Sequence, residues 1–279
     1  MTQSPSLPMA MPAASDRLTL VAISALASLG GVGLHEHLGH AMACVLLGSH
    51  PTELGAFYVN CDYSGLSDLR IRLVALAGPA VSLVIGFVCF LVLRLRPPRG
   101  SNTYFFVWLL GTFGFMSATG YLLFSGVSGL GDFGTSRDGV FYRISPEWLW
   151  RTILTIVGAA SYFLVVRLAV REIDPHLSGL GRPRIRYARQ LVLTSYLTGV
   201  VVAIGIGLLN PHGLIIVVIS SAAGTLGGSS GLLWMMQLLD RDRPVPAPGL
   251  VIHRSWWWIA LGTVVTILYA AVLGPTLRF

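Results

Sequence analysis

The sequence predicts an all-α polytopic membrane protein, and three observations carry that reading. Of its 279 residues, 54% are hydrophobic and only 11% are charged, with a mean hydropathy of +0.71, outside the usual range for soluble globular domains. About seven segments contain the roughly 20 apolar residues needed to cross a hydrocarbon core: 18–48, 72–95, 103–125, 148–170, 190–209, 213–239 and 256–275. Short loops join them. The formal charge of +7 comes from arginine, because the chain has no lysine, a bias that fits a GC-rich bacterial genome and a bacterial inner (plasma) membrane.

Taken in order, residues 1–17 are polar and rich in Pro and Ser and read as a disordered leader. A cleavable signal peptide is not indicated, because the apolar run of the first span continues through a cluster of histidines. Between the first two spans, His50 to Arg70 is polar, contains the β-formers Phe57, Tyr58 and Val59, and ends in Asp62-Tyr63-Ser64-Gly65. A short surface hairpin is expected there. Trp148, Trp150 and the run Trp256, Trp257, Trp258 sit at span ends, where aromatic side chains anchor to the interface. Gly224, Gly228 and Gly231, with Gly227 beside them, form a small-residue stripe suited to close helix packing. Cys44, Cys61 and Cys89 are odd in number and two lie in apolar spans, so no disulfide framework is expected.

The arginines also orient the chain. Arg94, Arg96, Arg99, Arg182, Arg184, Arg186, Arg189, Arg241 and Arg243 are among those in loops on the amino-terminal side, against Arg70, Arg72, Arg137, Arg143, Arg151 and Arg278 on the other. The amino terminus is therefore expected in the cytoplasm. The arginines form no aromatic-interleaved basic face, so nucleic acid is not an expected partner. The lipid bilayer is, and the oligomeric state is left open.

The chemistry is concentrated in His35-Glu36-His37-Leu38-Gly39-His40, inside the first span. Ionisable residues are costly at membrane depth and are read as functional by default. In a regular helix, residues three or four apart share a face, so Glu36, His37 and His40 would converge while His35 pointed away from His40 by roughly 140°. A π-turn around Gly39 offers the other solution, bringing His35 and His40 toward one side. Cys44, four residues beyond His40, is a candidate thiolate ligand or a small packing residue.

His-Glu followed by Leu-Gly-His, with Ala41 and an apolar tail ending in Gly48, resembles the signature helix of the site-2 proteases, intramembrane zinc metalloproteases with a His-Glu-x-x-His motif. The departure is one extra residue, His37. A His-Glu-x-x-x-His motif is also known in the dipeptidyl peptidase III family. Leu76-Ala77-Gly78-Pro79-Ala80-Val81-Ser82-Leu83 resembles the Ala-Gly-Pro segment of the second site-2 core helix, with Ser82 where many members carry asparagine. The third core element would supply an aspartate. Here that stretch, Tyr121 to Phe133, lacks the family's asparagine and proline but contains Asp132.

The resemblance covers roughly residues 18–140 as a catalytic membrane core and leaves 141–279 as additional helices of unknown role. It implies a zinc ion (Zn2+) held by His35, His40 and Asp132, with Glu36 as general base, acting on peptide bonds in or near transmembrane segments. His37, Asp138 and His212 are reserve ligands. The local distortion is preferred to the regular helix, because only that arrangement leaves a carboxylate free for catalysis. The rivals are a zinc hydrolase of lipid amides, like the seven-span alkaline ceramidases, and a non-catalytic metal-binding or transport protein. The Ala-Gly-Pro segment and the single His box weigh against the first, and the confinement of ionisable residues to one span weighs against the second.

Overall fold

The computed structural model describes residues 15–177, 179–212, 227–243 and 249–279. Asp16 starts the first helix by accepting the Thr19 backbone N–H at 2.8 Å, an N-cap that satisfies an otherwise orphaned donor. Ser15 is buried and hydrogen-bonds the Tyr187 hydroxyl at 2.8 Å. The leader expected over 1–17 therefore ends before Ser15, because a polar cap tied to a neighbouring helix holds Ser15 to Arg17 in place. Residues 1–14 lie outside the described residues.

Helix α1 runs Arg17–Leu46, with Leu34–Ala41 wound as a π-helix inside it. Strands β1 (Pro51–Leu54) and β2 (Val59–Cys61) pair antiparallel. Then come α2 (Asp68–Leu95), α3 (Ser101–Ser128), α4 (Glu147–Ile173), α5 (Gly181–Gly207), the short α6 (Gly231–Trp234), α7 (Trp256–Val272) and β3 (Leu277–Arg278). Helices α1 to α5, counting the 3-10 turn after α4, are long and apolar enough to cross a membrane, whereas α7 is shorter. Most of the expected span 213–239 lies outside the described residues. The fifth span starts at Gly181 rather than 190. Its first turns carry arginines, whose long stems reach polar surroundings while the backbone stays helical.

Phe57 and Tyr58 do not lie in a strand. They form the turn between β1 and β2, and Phe57 is buried against Leu29 and Ile206. The third strand comes from the far end of the chain, where Arg278 pairs with Glu53 and Leu277 with Leu54. No local pattern announces a two-residue strand whose partner lies more than two hundred residues away.

A large apolar cluster holds the helices together, with Phe105, Trp108, Leu109 and Met116 of α3 against Leu20 and Ile23 of α1, Val166 of α4 and Leu191 of α5. Outward faces remain apolar: Val84, Phe87, Val88 and Leu91 of α2 and Ile156 and Leu164 of α4 are exposed. That inside-out pattern is what hydrocarbon, not water, requires of a helix surface. At the stripe of glycines, a Cβ on Gly231 would fall 2.6 Å from Val166 Cγ2, so the small residue there serves packing.

Cys44 and Cys61 form a disulfide, with Cα atoms 6.1 Å apart, correcting the expectation of unpaired cysteines and removing Cys44 as a ligand. The pairing was hidden because Cys44 lies in an apolar run. The chain reverses at Gly48 (φ 90°), and β2 returns over the helix end. Cys89 is free and buried.

Candidate metal centre

Eight residues of π-helix accommodate the five-residue spacing of His35 and His40. The wider turn carries both imidazoles to one side, with their Nε2 atoms 3.3 Å apart. The extra residue, His37, is displaced to the other side. Its ring lies 6.4 Å from that of Tyr269, and its buried nitrogens meet no hydrogen-bond partner among the described residues. The regular-helix alternative, with Glu36, His37 and His40 converging, is not what forms.

Two glycines let the next helix approach this turn. A Cβ on Gly39 would lie 2.6 Å from Gly78 Cα, so α1 and α2 touch backbone to backbone. Gly78 leaves the room the imidazoles occupy, for its Cβ would sit 2.3 Å from His40 Nε2 and 2.7 Å from His35 Nε2. Pro79 lacks the N–H that would bind the Ala75 carbonyl, which loosens this turn of α2. From that stretch the Val74 carbonyl accepts from His40 Nδ1 at 2.8 Å, and Ser82 Oγ meets His35 Nδ1 at 2.9 Å. Such bonds fix ring orientation, and with Nδ1 carrying the proton they turn the Nε2 lone pair toward the common point.

The third donor arrives from the loop after α3. Gly129 (φ 77°) ends that helix in the left-handed conformation, and Gly131 (φ 80°) turns the chain again, bringing Asp132 back over the bundle. The Asp132 backbone carbonyl accepts from Val140 N at 2.8 Å, closing the loop on itself. The carboxylate lies 3.1 Å from His35 Nε2 through Oδ2 and 3.4 Å from His40 Nε2 through Oδ1.

His35, His40 and Asp132 thus form a group that could hold a metal ion, with one ligand atom from each within 4.8 Å of the others. Two donors, each about 2.0–2.1 Å from a tetrahedral ion, stand about 3.3–3.4 Å apart. The two imidazole nitrogens, 3.3 Å apart, have that spacing, and Asp132 brings one carboxylate oxygen to 3.1 Å from His35 and the other to 3.4 Å from His40. Two imidazole lone pairs and a carboxylate also repel one another unless a cation or shared protons lie between them.

Glu36 is buried and lines a cavity of about 70 Å³ with His35, Val32, Phe57, Phe113, Met116 and Tyr121. The Tyr121 ring stacks on His35 at 5.0 Å between centroids. Neither Tyr121 nor the steric role of Gly78 had a sequence signal beyond membership in the quoted stretches. Of the reserve ligands, Asp138 is not part of the group among the described residues. His212 instead pairs with Glu53 of β1 at 3.2 Å on the exposed sheet, because the turn after α5 stands over that strand.

The chain matches no family model, no curated protein and no solved structure.

Proposed function

We propose that this protein is an intramembrane zinc metalloprotease that hydrolyses peptide bonds in or near transmembrane segments. The observation that carries the reading is the convergence of His35, His40 and Asp132 beside a buried glutamate at membrane depth. His35, His40 and Asp132 would hold the zinc, which would supply Lewis acidity toward the scissile carbonyl and toward a water. Glu36 takes the water's proton and returns it to the leaving amine. The cavity it lines exceeds the roughly 10–15 Å³ that one water requires, and Val32, Phe113 and Met116 give it apolar walls. A substrate helix must unwind before its carbonyls are open to attack. β2 packs against the π-helical segment and is an outer strand of the three-stranded sheet, so an extended peptide added to its edge would run beside the ligands.

The test is metal-dependent cleavage. Purified protein should carry about one zinc per chain, as a single three-ligand catalytic site implies. Chelation should abolish cleavage of a membrane-anchored peptide, and added zinc should restore it. Metal-free, folded protein that cleaves at the original rate overturns the reading.

Substrates on this reading are met on the extracytoplasmic side. Two observations support that orientation: the arginine-rich loops gather at the end opposite the metal group, and the Cys44–Cys61 disulfide lies at the end of α1 that carries His40. Disulfides persist in oxidising compartments, and arginine-rich loops stay inside. β3 places the carboxy terminus at the same end as the disulfide. A reporter that matures only outside the cytoplasm should therefore be active when fused after Phe279. Activity confined to a cytoplasm-only reporter at that position would reverse the assignment.

A further inference from the structure

A second site, unrelated to the metal group, lies at the opposite end of the bundle. There the first turns of α5 and the segment 241–242 enclose a recess of about 420 Å³ lined by Arg182, Arg186, Arg189 and Arg241, with Ile185 and Asp242. Its walls are fixed. The fully buried Arg184 donates to Asp174 Oδ1 at 2.7 Å and to the Asp240 carbonyl at 2.9 Å, Arg243 reaches Asp174 Oδ2 at 2.8 Å, and Gly181 N donates to the Arg241 carbonyl at 2.8 Å. Arg184 and Arg243 are thus spent on structure, whereas the four lining arginines form no ion pair among the described residues. The segments outside the described residues contain no Asp or Glu, so the chain has no further carboxylate to offer them. Four guanidinium groups around one recess, with Asp242 as its single carboxylate, repel one another unless an anion enters.

The rest of the helix identifies the anion. Arg182, Arg186 and Arg189 follow the three-and-four spacing of one helical face. The same face continues through Leu193 to Leu197 and Val201, which are 49% and 68% exposed. One stripe therefore presents cations at the membrane boundary and bare apolar surface below them, the shape complement of a lipid with an anionic headgroup. Guanidinium forks match phosphate oxygens bidentately, and basic pockets at helix entries are where anionic headgroups bind. We propose that this recess binds the phosphate headgroup of an anionic phospholipid, whose acyl chains lie along the exposed face of α5.

The full-length protein in detergent tests this with phosphatidylglycerol, phosphatidylcholine and inorganic phosphate as probes, read by lipid retained after purification and by thermal unfolding. Wild type should retain phosphatidylglycerol and unfold at a higher temperature in its presence, with no such shift from phosphatidylcholine or phosphate. The combined variant Arg182→Gln, Arg186→Gln, Arg189→Gln should bind phosphatidylglycerol on the order of a hundredfold more weakly. Arg96→Gln with Arg99→Gln, on the same side but outside the recess, should bind as wild type. Should the triple variant fold poorly, wild type still decides the matter: high salt should release phosphatidylglycerol from it. Equal stabilisation by phosphatidylcholine, undiminished binding by the triple variant, or salt-resistant binding overturns the proposal. Stabilisation by inorganic phosphate alone would make the ligand a soluble anion and also overturn it.

Discussion

Glu36→Gln should leave the protein folded and metal-loaded while slowing peptide cleavage by about 10²–10⁴-fold, the range that a positioned general base contributes. The substitution keeps the side chain's volume in a closely packed place: Glu36 is 6% exposed and shares its small cavity with Tyr121, Phe113 and Met116. It removes the proton acceptor without touching the three donors, since the π-helical turn directs His35 and His40, not Glu36, toward Asp132. Metal content, unfolding temperature and single-turnover cleavage of a membrane-anchored peptide, measured on one preparation, separate the outcomes. Wild-type cleavage by the variant would remove Glu36 from the chemistry. Loss of metal would instead make it a ligand.

Gly78→Ala should reduce metal affinity by at least about a hundredfold, the upper end of what disturbing a ligand's supporting contacts costs, with little change in helix content. The reason is steric. An added methyl carbon at 2.3 Å from His40 Nε2 and 2.7 Å from His35 Nε2 overlaps both donor atoms. Each imidazole lies at the end of a side chain and can swing away, which spares the fold but breaks its bond to Ser82 or Val74 and its approach to Asp132. Gly86→Ala is the control. It lies on the same helix, where the added carbon meets Phe115 at 2.5 Å, so it should cost stability without moving the metal donors. Metal titration of both variants alongside thermal unfolding checks this. Equal loss of metal by the two would show that general helix packing, not the Gly78 contact, governs the site.

Much of the centre was legible because its parts are close along the chain. A helix fixes the relation of residues three to five apart, so the spacing of His35, Glu36 and His40 posed a choice between two windings. The π-helix over Leu34–Ala41 is the one that brings the outer histidines together. The Ala-Gly-Pro segment was legible as a motif, but its physical work was not. That Gly78 vacates the space of the imidazoles, and that Val74 and Ser82 orient them, depends on the depth at which α2 crosses α1.

The sequence by itself determined the membrane class, through hydropathy averaged over span-length windows, and confined the histidine cluster to one helix, where periodicity left two possible donor sets. Both are properties of neighbouring residues. Asp132 was named ahead of Asp138 and His212 only through the family resemblance; tertiary structure is what brings it to the histidines, and it alone decided that Cys44 meets Cys61 and that β3 closes the sheet. Each of these joins segments whose separation in space is set by helix packing at contacts such as Gly39 against Gly78. Such contacts depend on the shapes of two surfaces at once, and no periodicity within either segment encodes them.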